Sequence, residues 1–582
     1  MRTMSIFALG LILGLMLGVS PALSEEVDLT PPRLSYVDGE VSFLRPGAPD
    51  WVEAQLNTPL APGDQLYTGS PGNFELQIGA RAFVRGWANT QIGLENHDPA
   101  FLQFKVTSGY AAFDLRSLPA GSTVEVDTPN AAFTINRPGY YRADVDGERT
   151  TFTTRRGGSA VATPSGGQSV SIAPSEEVVL EGDTTPTITS YAAPPVDVWD
   201  QWNYDRTNDL LDTVSARHVS PEAYGTDDLD RHGSWRIVPT YGSVWIPGGV
   251  ATDWAPYSDG TWVLDPHYGW TWVDRAPWGW APYHYGRWVS VDGYWAWAPG
   301  PVVARPIYAP ALVAFAGGPG LQVGISIGSA PTVGWVALGW GEPVVPWWGR
   351  PGFIHRPYWC GWGGPRVVND VVIHHHHVVR IEEIHHYHHM RAGRGIMAVE
   401  EKHFGRGPSQ VMRVSHVDNK HLRMHHVVDR SHATPASYAP FEKRGRRPPE
   451  ETFRRPVVAT RRPHQGPSEM LHDQKHGDSK DRGKDRIGSP VSRIVAPPKG
   501  REPSVFKRPS FGHGEEERPL LKRGPNAPPA AEERSSRREP ASQGPSGRPA
   551  ADQPADRKTD GNGLKEQIQR QERNGDNHNR PA

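Results

Sequence analysis

A single cysteine, Cys360, stands among 582 residues, so no disulfide can form within one chain and packing alone must hold the fold. Its setting, Tyr358-Trp359-Cys360-Gly361-Trp362, suits a small buried hydrophobe better than a reactive thiolate. With 57 prolines and 62 glycines, long helices are unexpected over most of the chain. Apolar runs of membrane-spanning length are missing, because the longest, Ile6 to Val19, falls short of the roughly 20 residues required. Signatures of catalysis are missing as well. There is no nucleophile elbow, no cysteine with a partner histidine and no pair of acids in a cleft-forming context, and Gly317-Gly318-Pro319-Gly320 lacks the Lys and Ser/Thr of a phosphate-binding loop. The expectation is a protein that is not an enzyme.

What is present begins with a leader. Arg2, the apolar stretch to Val19 and the ending Pro21-Ala22-Leu23-Ser24, followed by Glu25-Glu26, form a cleavable secretory signal over residues 1–24 with the cut near Ser24. The mature chain is therefore expected outside the cytoplasm, periplasmic or at the cell surface, with no transmembrane segment after cleavage and no cysteine at the cut to carry a lipid. Charge is distributed unevenly. From residue 430 onward there are 32 Lys and Arg against 21 Asp and Glu, whereas the whole chain carries a formal charge of -2. An acidic body thus precedes a basic tail.

Residues 31–190 alternate short β-favouring runs with turn residues. The runs are Val41–Leu44, Phe74–Ile78, Leu102–Val106, Val124–Val126 and Tyr140–Val145, which read as strands of an antiparallel β domain. Two steps are more specific: Leu60-Ala61-Pro62-Gly63-Asp64 running into Thr68-Gly69, and Thr128-Pro129-Asn130-Ala131. Over roughly 140 residues this segment resembles the periplasmic domain of FecR-type proteins. In FecR signal transducers that domain follows a cytoplasmic helical region and one spanning helix. Neither is evident here, so the resemblance implies the domain fold and not sigma-factor regulation.

Residues 196–232 place Val196, Trp199, Trp202, Leu210, Leu211 and Val214 at mixed three and four spacings, an amphipathic helical connector. Residues 235–365 form a Trp-rich repeat domain that holds 17 of the 21 tryptophans. Trp254-Ala255-Pro256-Tyr257-Ser258-Asp259-Gly260-Thr261-Trp262-Val263 returns 26 residues later as Trp280-Ala281-Pro282-Tyr283-His284-Tyr285-Gly286-Arg287-Trp288-Val289. Each unit reads as a β-hairpin, with turns at Ser258-Asp259-Gly260, His267-Tyr268-Gly269 and Val291-Asp292-Gly293. Together with Tyr241–Pro247, these repeats resemble an uncharacterised bacterial Trp-rich family seen downstream of FecR-like domains.

In a strand, residues i and i+2 share a face, so Trp270 with Trp272 and Trp295 with Trp297 form two-ring patches. Flanked by Tyr257 and Tyr283, they are candidates for stacking on sugar rings of peptidoglycan or another glycan; the competing reading makes the same rings core. Residues 366–432 are rich in Val and His. Within them His374, His376, Glu382, His385 and His389 are candidate Zn or Ni ligands, although a run of adjacent histidines fixes no geometry and no resident cofactor is expected. Residues 433–582, rich in Pro and Arg, read as a disordered basic tail. Clusters such as Lys443-Arg444-Gly445-Arg446-Arg447 could hold phosphates, but export and interspersed acids such as Glu515–Glu517 argue against a nucleic-acid partner. The combined expectation is a mainly β, exported and non-catalytic envelope protein of structural or interaction type. Glycan binding and metal binding remain the alternatives, and other proteins remain possible partners.

Overall fold

The period-two runs fold as strands. The computed structural model describes residues 30–304, 306–317, 321–322, 332–342, 344, 347, 366–368, 371–374, 377–380, 386–390, 395–407, 411–414, 416–417, 422–424, 433–463 and 492–497. Mainly β, it holds its longest helix, Val198–Leu211, between two β modules. No helix among the described residues is long and apolar enough to cross a membrane. The leader, residues 1–24, lies outside the described residues.

The first module is a fourteen-stranded sheet over residues 33–192. Two strands of 15 residues, Gln65–Gly79 and Phe101–Leu115, are its spine. Gln65–Gly79 pairs with Arg33–Leu44 in the register Phe43↔Leu66, and Phe101–Leu115 takes Gln91–Asp98, Ala82–Gly86 and Gly139–Asp146 as antiparallel neighbours. All five expected runs fall inside observed strands. The two family-like steps have local causes. Gly63 sits at φ +96°, and a Cβ there would meet Pro46 Cγ at 2.8 Å, so the turn takes glycine. Asp64 then folds its carboxylate back onto the Ala61 amide at 2.8 Å. At the second step, the Thr128 hydroxyl donates to the Ala131 carbonyl at 2.9 Å, turning strand Thr123–Asp127 into Ala131–Ile135.

The connector helix differs from the expected apolar stripe. Val196 and Val214 are exposed, and the buried face is Trp199, Asp200, Asn203, Tyr204, Thr207 and Leu210. The sheet beneath presents charge, so half of the buried helix face is polar. Asp197 caps the N-terminus by accepting from the Asp200 amide at 2.7 Å.

In the second module the 26-residue units do form hairpins. Gly260–Asp265 pairs with Gly269–Asp274, and Arg287–Val291 with Tyr294–Ala298. The Asp292-Gly293 loop has φ of +49° and +87°, as a two-residue hairpin turn with the strand twist requires. The equivalence stops there. Ala281–His284 is a single helical turn, whereas Ala255–Ser258 is not helical, and the second hairpin alone joins a four-stranded sheet with Gly233–Val238 and Gly242–Pro247. A five-stranded sheet completes the module. Its strands Thr332–Ala337 and Ile396–Glu400 pair with each other, so part of the His-rich region belongs to this core, beyond the expected end at 365.

The tail departs from expectation too. Residues 433–463 are ordered against the first module: Phe453 packs edge-on to Trp51 at 6.0 Å, and Val457–Ala459 is buried. The remaining tail positions, apart from 492–497, lie outside the described residues.

Candidate functional site

The expected aromatic platform is core. Trp270, Trp272, Trp297, Tyr257 and Tyr283 are each at most 2 % exposed, and Trp295 is half-buried. Thr271, on the opposite side of the strand from the tryptophan pair, is also fully buried, so both faces of that hairpin are covered. The indoles pack edge to face, Trp262 with Trp272 at 5.4 Å and Trp270 with Phe404 at 4.8 Å. Two of the site candidates use their N–H groups inside the protein, Trp272 donating to the Asp274 carboxylate at 3.0 Å and Trp297 to the Tyr285 carbonyl at 2.8 Å, whereas the buried Nε1 of Trp262 has no hydrogen-bond partner among the described residues. Tyr257 donates to the Tyr283 carbonyl at 2.8 Å and accepts from the Leu312 amide at 2.9 Å. Five of the six expected platform residues are thus interior rings with no face open for stacking on a sugar, and Trp295 is half-buried. Short strands without disulfides need large buried rings, each removing roughly 150–250 Å² from water, and here the rings serve that purpose.

Of the metal candidates, His376, Glu382 and His385 lie outside the described residues. His374 ends strand Val371–His374, in which only the backbone is described. His389 is buried, with Nε2 at 3.0 Å from the Trp288 carbonyl and its ring edge-on to Trp295 at 4.6 Å. Burial lowers its pKa. No group of three or more His, Cys, Asp or Glu able to hold a metal occurs among the described residues.

Composition does not reveal the strongest feature, a buried charged seam where the two modules and the connector helix meet. Arg33, at the start of the first strand, donates to Asp228 at 2.6 Å and lies 3.6 Å from Asp227. Arg45 makes a two-pronged contact with Asp64 at 2.6–2.9 Å and reaches Asp265 of the second module at 3.6 Å. Asn57 donates across the seam to the carbonyls of Asp274 and Ala276 at 3.1 and 2.8 Å. Gln77 accepts from the Gly225 amide at 3.0 Å. Beneath the helix, Glu75 accepts from Arg85 at 2.8 Å, from Arg206 at 2.8 Å through both oxygens, and from Ser35 at 2.8 Å. The remaining Arg85 donors reach Thr207 Oγ1 and the Asn203 carbonyl.

The pKa values follow the surroundings. Burial alone would raise Glu75, but Arg206 and Arg85 overcome it and bring the carboxyl down to about 2. Burial, reinforced by Asp228 and opposed by Arg33, lifts Asp227 to about 6. Asp274, buried among aromatics, rises to about 7 despite its bond from Trp272. Burial lowers His284 to about 3. These groups hold structure together, and their partners are side chains and backbone of the same chain.

The sequence signal for the seam was partial: Asp64 lies in the Gly-Asp step, whereas Arg33, Glu75, Asp227 and Asp265 carry no local pattern. One open feature accompanies the seam. A polar cleft of about 500 Å³ lies on the first module beside Tyr110, Asp144 and Arg149, with Thr452 and Arg455 of the C-terminal segment on its rim.

Residues 226–343 match the model of a family of unknown function, DUF6600, so the match takes in the second module from before Gly233–Val238 through Thr332–Ala337. A comparison with curated proteins finds no match. Two crystal structures of a putative anti-sigma factor from Parabacteroides distasonis ATCC 8503, at 2.50 and 1.65 Å resolution, are similar at 14 % and 13 % identity, each with a TM-score of 0.21. The alignments cover 23 % of this chain and 62 % of each solved chain.

Proposed function

We propose that this is an exported, non-catalytic envelope protein of structural or interaction type, in which a FecR-like β domain and the DUF6600-matching module act as one body. The observation that carries the reading is the seam. Arg45, fixed by Asp64 of its own module, reaches Asp265 of the second, and Arg33 pairs with Asp227 and Asp228 just before the second module's first strand, the arrangement of a scaffold whose parts keep a fixed relation. Support for export comes from the leader over residues 1–24. The FecR resemblance is attached to structural residues, Gly63 and Asp64 at a turn and Thr128 at another, which favours a shared fold over a shared signalling role.

Glycan binding through the tryptophan pairs is disfavoured because Trp270, Trp272 and Trp297 are interior and Trp295 is half-buried. Titration with peptidoglycan fragments should leave tryptophan fluorescence unchanged, and a saturable shift would reinstate that alternative. Metal handling by residues 374–389 predicts saturable Zn or Ni binding that is lost on their deletion from the full chain.

The test of the main reading is cell fractionation of the full-length product in a bacterial host, with amino-terminal sequencing of the recovered protein. It should appear in the periplasmic or envelope fraction beginning near Glu25. Recovery in the cytosol with the leader intact would contradict export.

A further inference from the structure

The segment that composition assigns to a disordered tail lies along the first module as a defined arm. Its backbone joins a strand edge: the Glu53 amide donates to the Lys443 carbonyl at 2.8 Å, and the Gly445 amide donates to the Trp51 carbonyl at 3.0 Å. Phe441 sits edge-on to Phe43 at 6.2 Å and Phe453 edge-on to Trp51 at 6.0 Å. Charge is complementary along the contact. Lys443 meets Glu53 at 3.1 Å, Arg444 and Arg447 both meet Asp50 at 2.7–2.8 Å, and Arg446 meets Glu40 at 3.0 Å. Further along, the Thr460 amide and hydroxyl donate to Glu125, and Gln103 and Asn96 donate to the carbonyls of Arg461 and Arg462.

This contact resembles a binding interface more than a core. The apolar anchors are Phe441, Phe453 and the short buried run Val457–Ala459, the ion pairs of residues 443–447 lie at the surface, and the floor under residues 460–462 is polar, made of Asn96, Gln103 and Glu125, so it can be solvated when uncovered. The contact is also tight in one place. A Cβ on Gly445 would lie 2.4 Å from the Val52 carbonyl oxygen and 2.8 Å from Ser42 Oγ, so a side chain there must part the arm from its edge.

We infer that the acidic, aromatic-edged track on the first module is an exchangeable docking site for a basic extended segment with phenylalanine anchors, filled in cis by residues 441–462 and able to take the same segment of a second copy. A second copy is the outside occupant, since this chain itself carries a segment that fits the anchors, the charges and the hydrogen-bonding edge together. Exchange between two copies is reciprocal and closes into a symmetric dimer.

The test mixes two full-length variants. Gly445→Val carries a vacant track and an arm that cannot dock. Asp50→Lys with Glu53→Lys carries an intact arm and a track of reversed charge. Each alone should run as a monomer by light scattering after size exclusion, and the mixture should form a one-to-one complex at about 10–100 µM that salt weakens. Replacing Gly445→Val by the exposed triple variant Lys443→Glu, Arg444→Glu, Arg447→Glu should give the same result, and that variant serves if Gly445→Val fails to fold. Two monomer masses in both mixtures at about 100 µM, with each variant folded by circular dichroism, would overturn the inference.

Discussion

Glu75 has three donors within 2.8 Å and no exposure, and two of those donors are arginines that would be left with reduced partners if the carboxylate were removed. Glu75→Gln should therefore cost about 3–5 kcal/mol in denaturant unfolding, the range for breaking a buried ion pair from one side. Its pKa of about 2 lies below the ordinary 4.5, so its stabilisation is present above pH 4.5 and disappears as pH falls toward 2; the glutamine variant should lose that part of the acid dependence. Asp274 works in the opposite sense. Held up to about 7 from an ordinary 3.8, it contributes fully below 3.8, and the contribution is lost as pH rises to 7. Asp274→Asn should flatten that decline, which can reach about 1.4 kcal/mol per pH unit, in unfolding curves measured across the range. An unchanged profile would show that the carboxyl titrates normally.

At the scale of elements, the hairpin Gly260–Asp265 with Gly269–Asp274 is held by its rings, with Trp262 opposite Trp272 in register. Trp272→Ala should cost about 3–5 kcal/mol, whereas an exposed binding platform would lose affinity and little stability. Strands were readable because residues such as Phe74, Leu76, Val124 and Val126 alternate with polar neighbours, and turns because Asp292-Gly293 supplies two positive φ angles. The helix was readable as a helix but not in its packing. Asn203 and Thr207 look solvent-facing until Arg85, 122 positions before Thr207, comes to meet them. Ile396–Glu400 was hidden by the histidines before it and the basic text after it, since its partner strand Thr332–Ala337 lies some 60 residues upstream. Likewise Phe441, Phe453 and Val457–Ala459 are too sparse to form a core among themselves, and their burial comes from distant residues: Phe43 for Phe441, Trp51 for Phe453, and the strands Thr123–Asp127 and Ala131–Ile135 for Val457–Ala459. Composition describes what a segment can bury alone; it is silent on surface supplied from elsewhere.

For the molecule as a whole, the pairing of modules is the property that sequence conveys least and the proposed function uses most. Boundaries at 190 and 235 suggest beads on a string, yet Arg33, Arg45, Asn57 and Gln77 of the first module all bond to residues beyond 220. Local patterns cannot reveal such pairs, because each partner is an ordinary charged or amide residue in its own neighbourhood. The direct measurement is differential scanning calorimetry of the mature full-length protein beside Arg33→Met. If the seam makes one body, the wild type unfolds its two modules in a single cooperative transition with calorimetric and van't Hoff enthalpies in a ratio near ~1, and the variant separates into two. Two independent transitions already in the wild type, unmoved by Arg33→Met, would contradict the account.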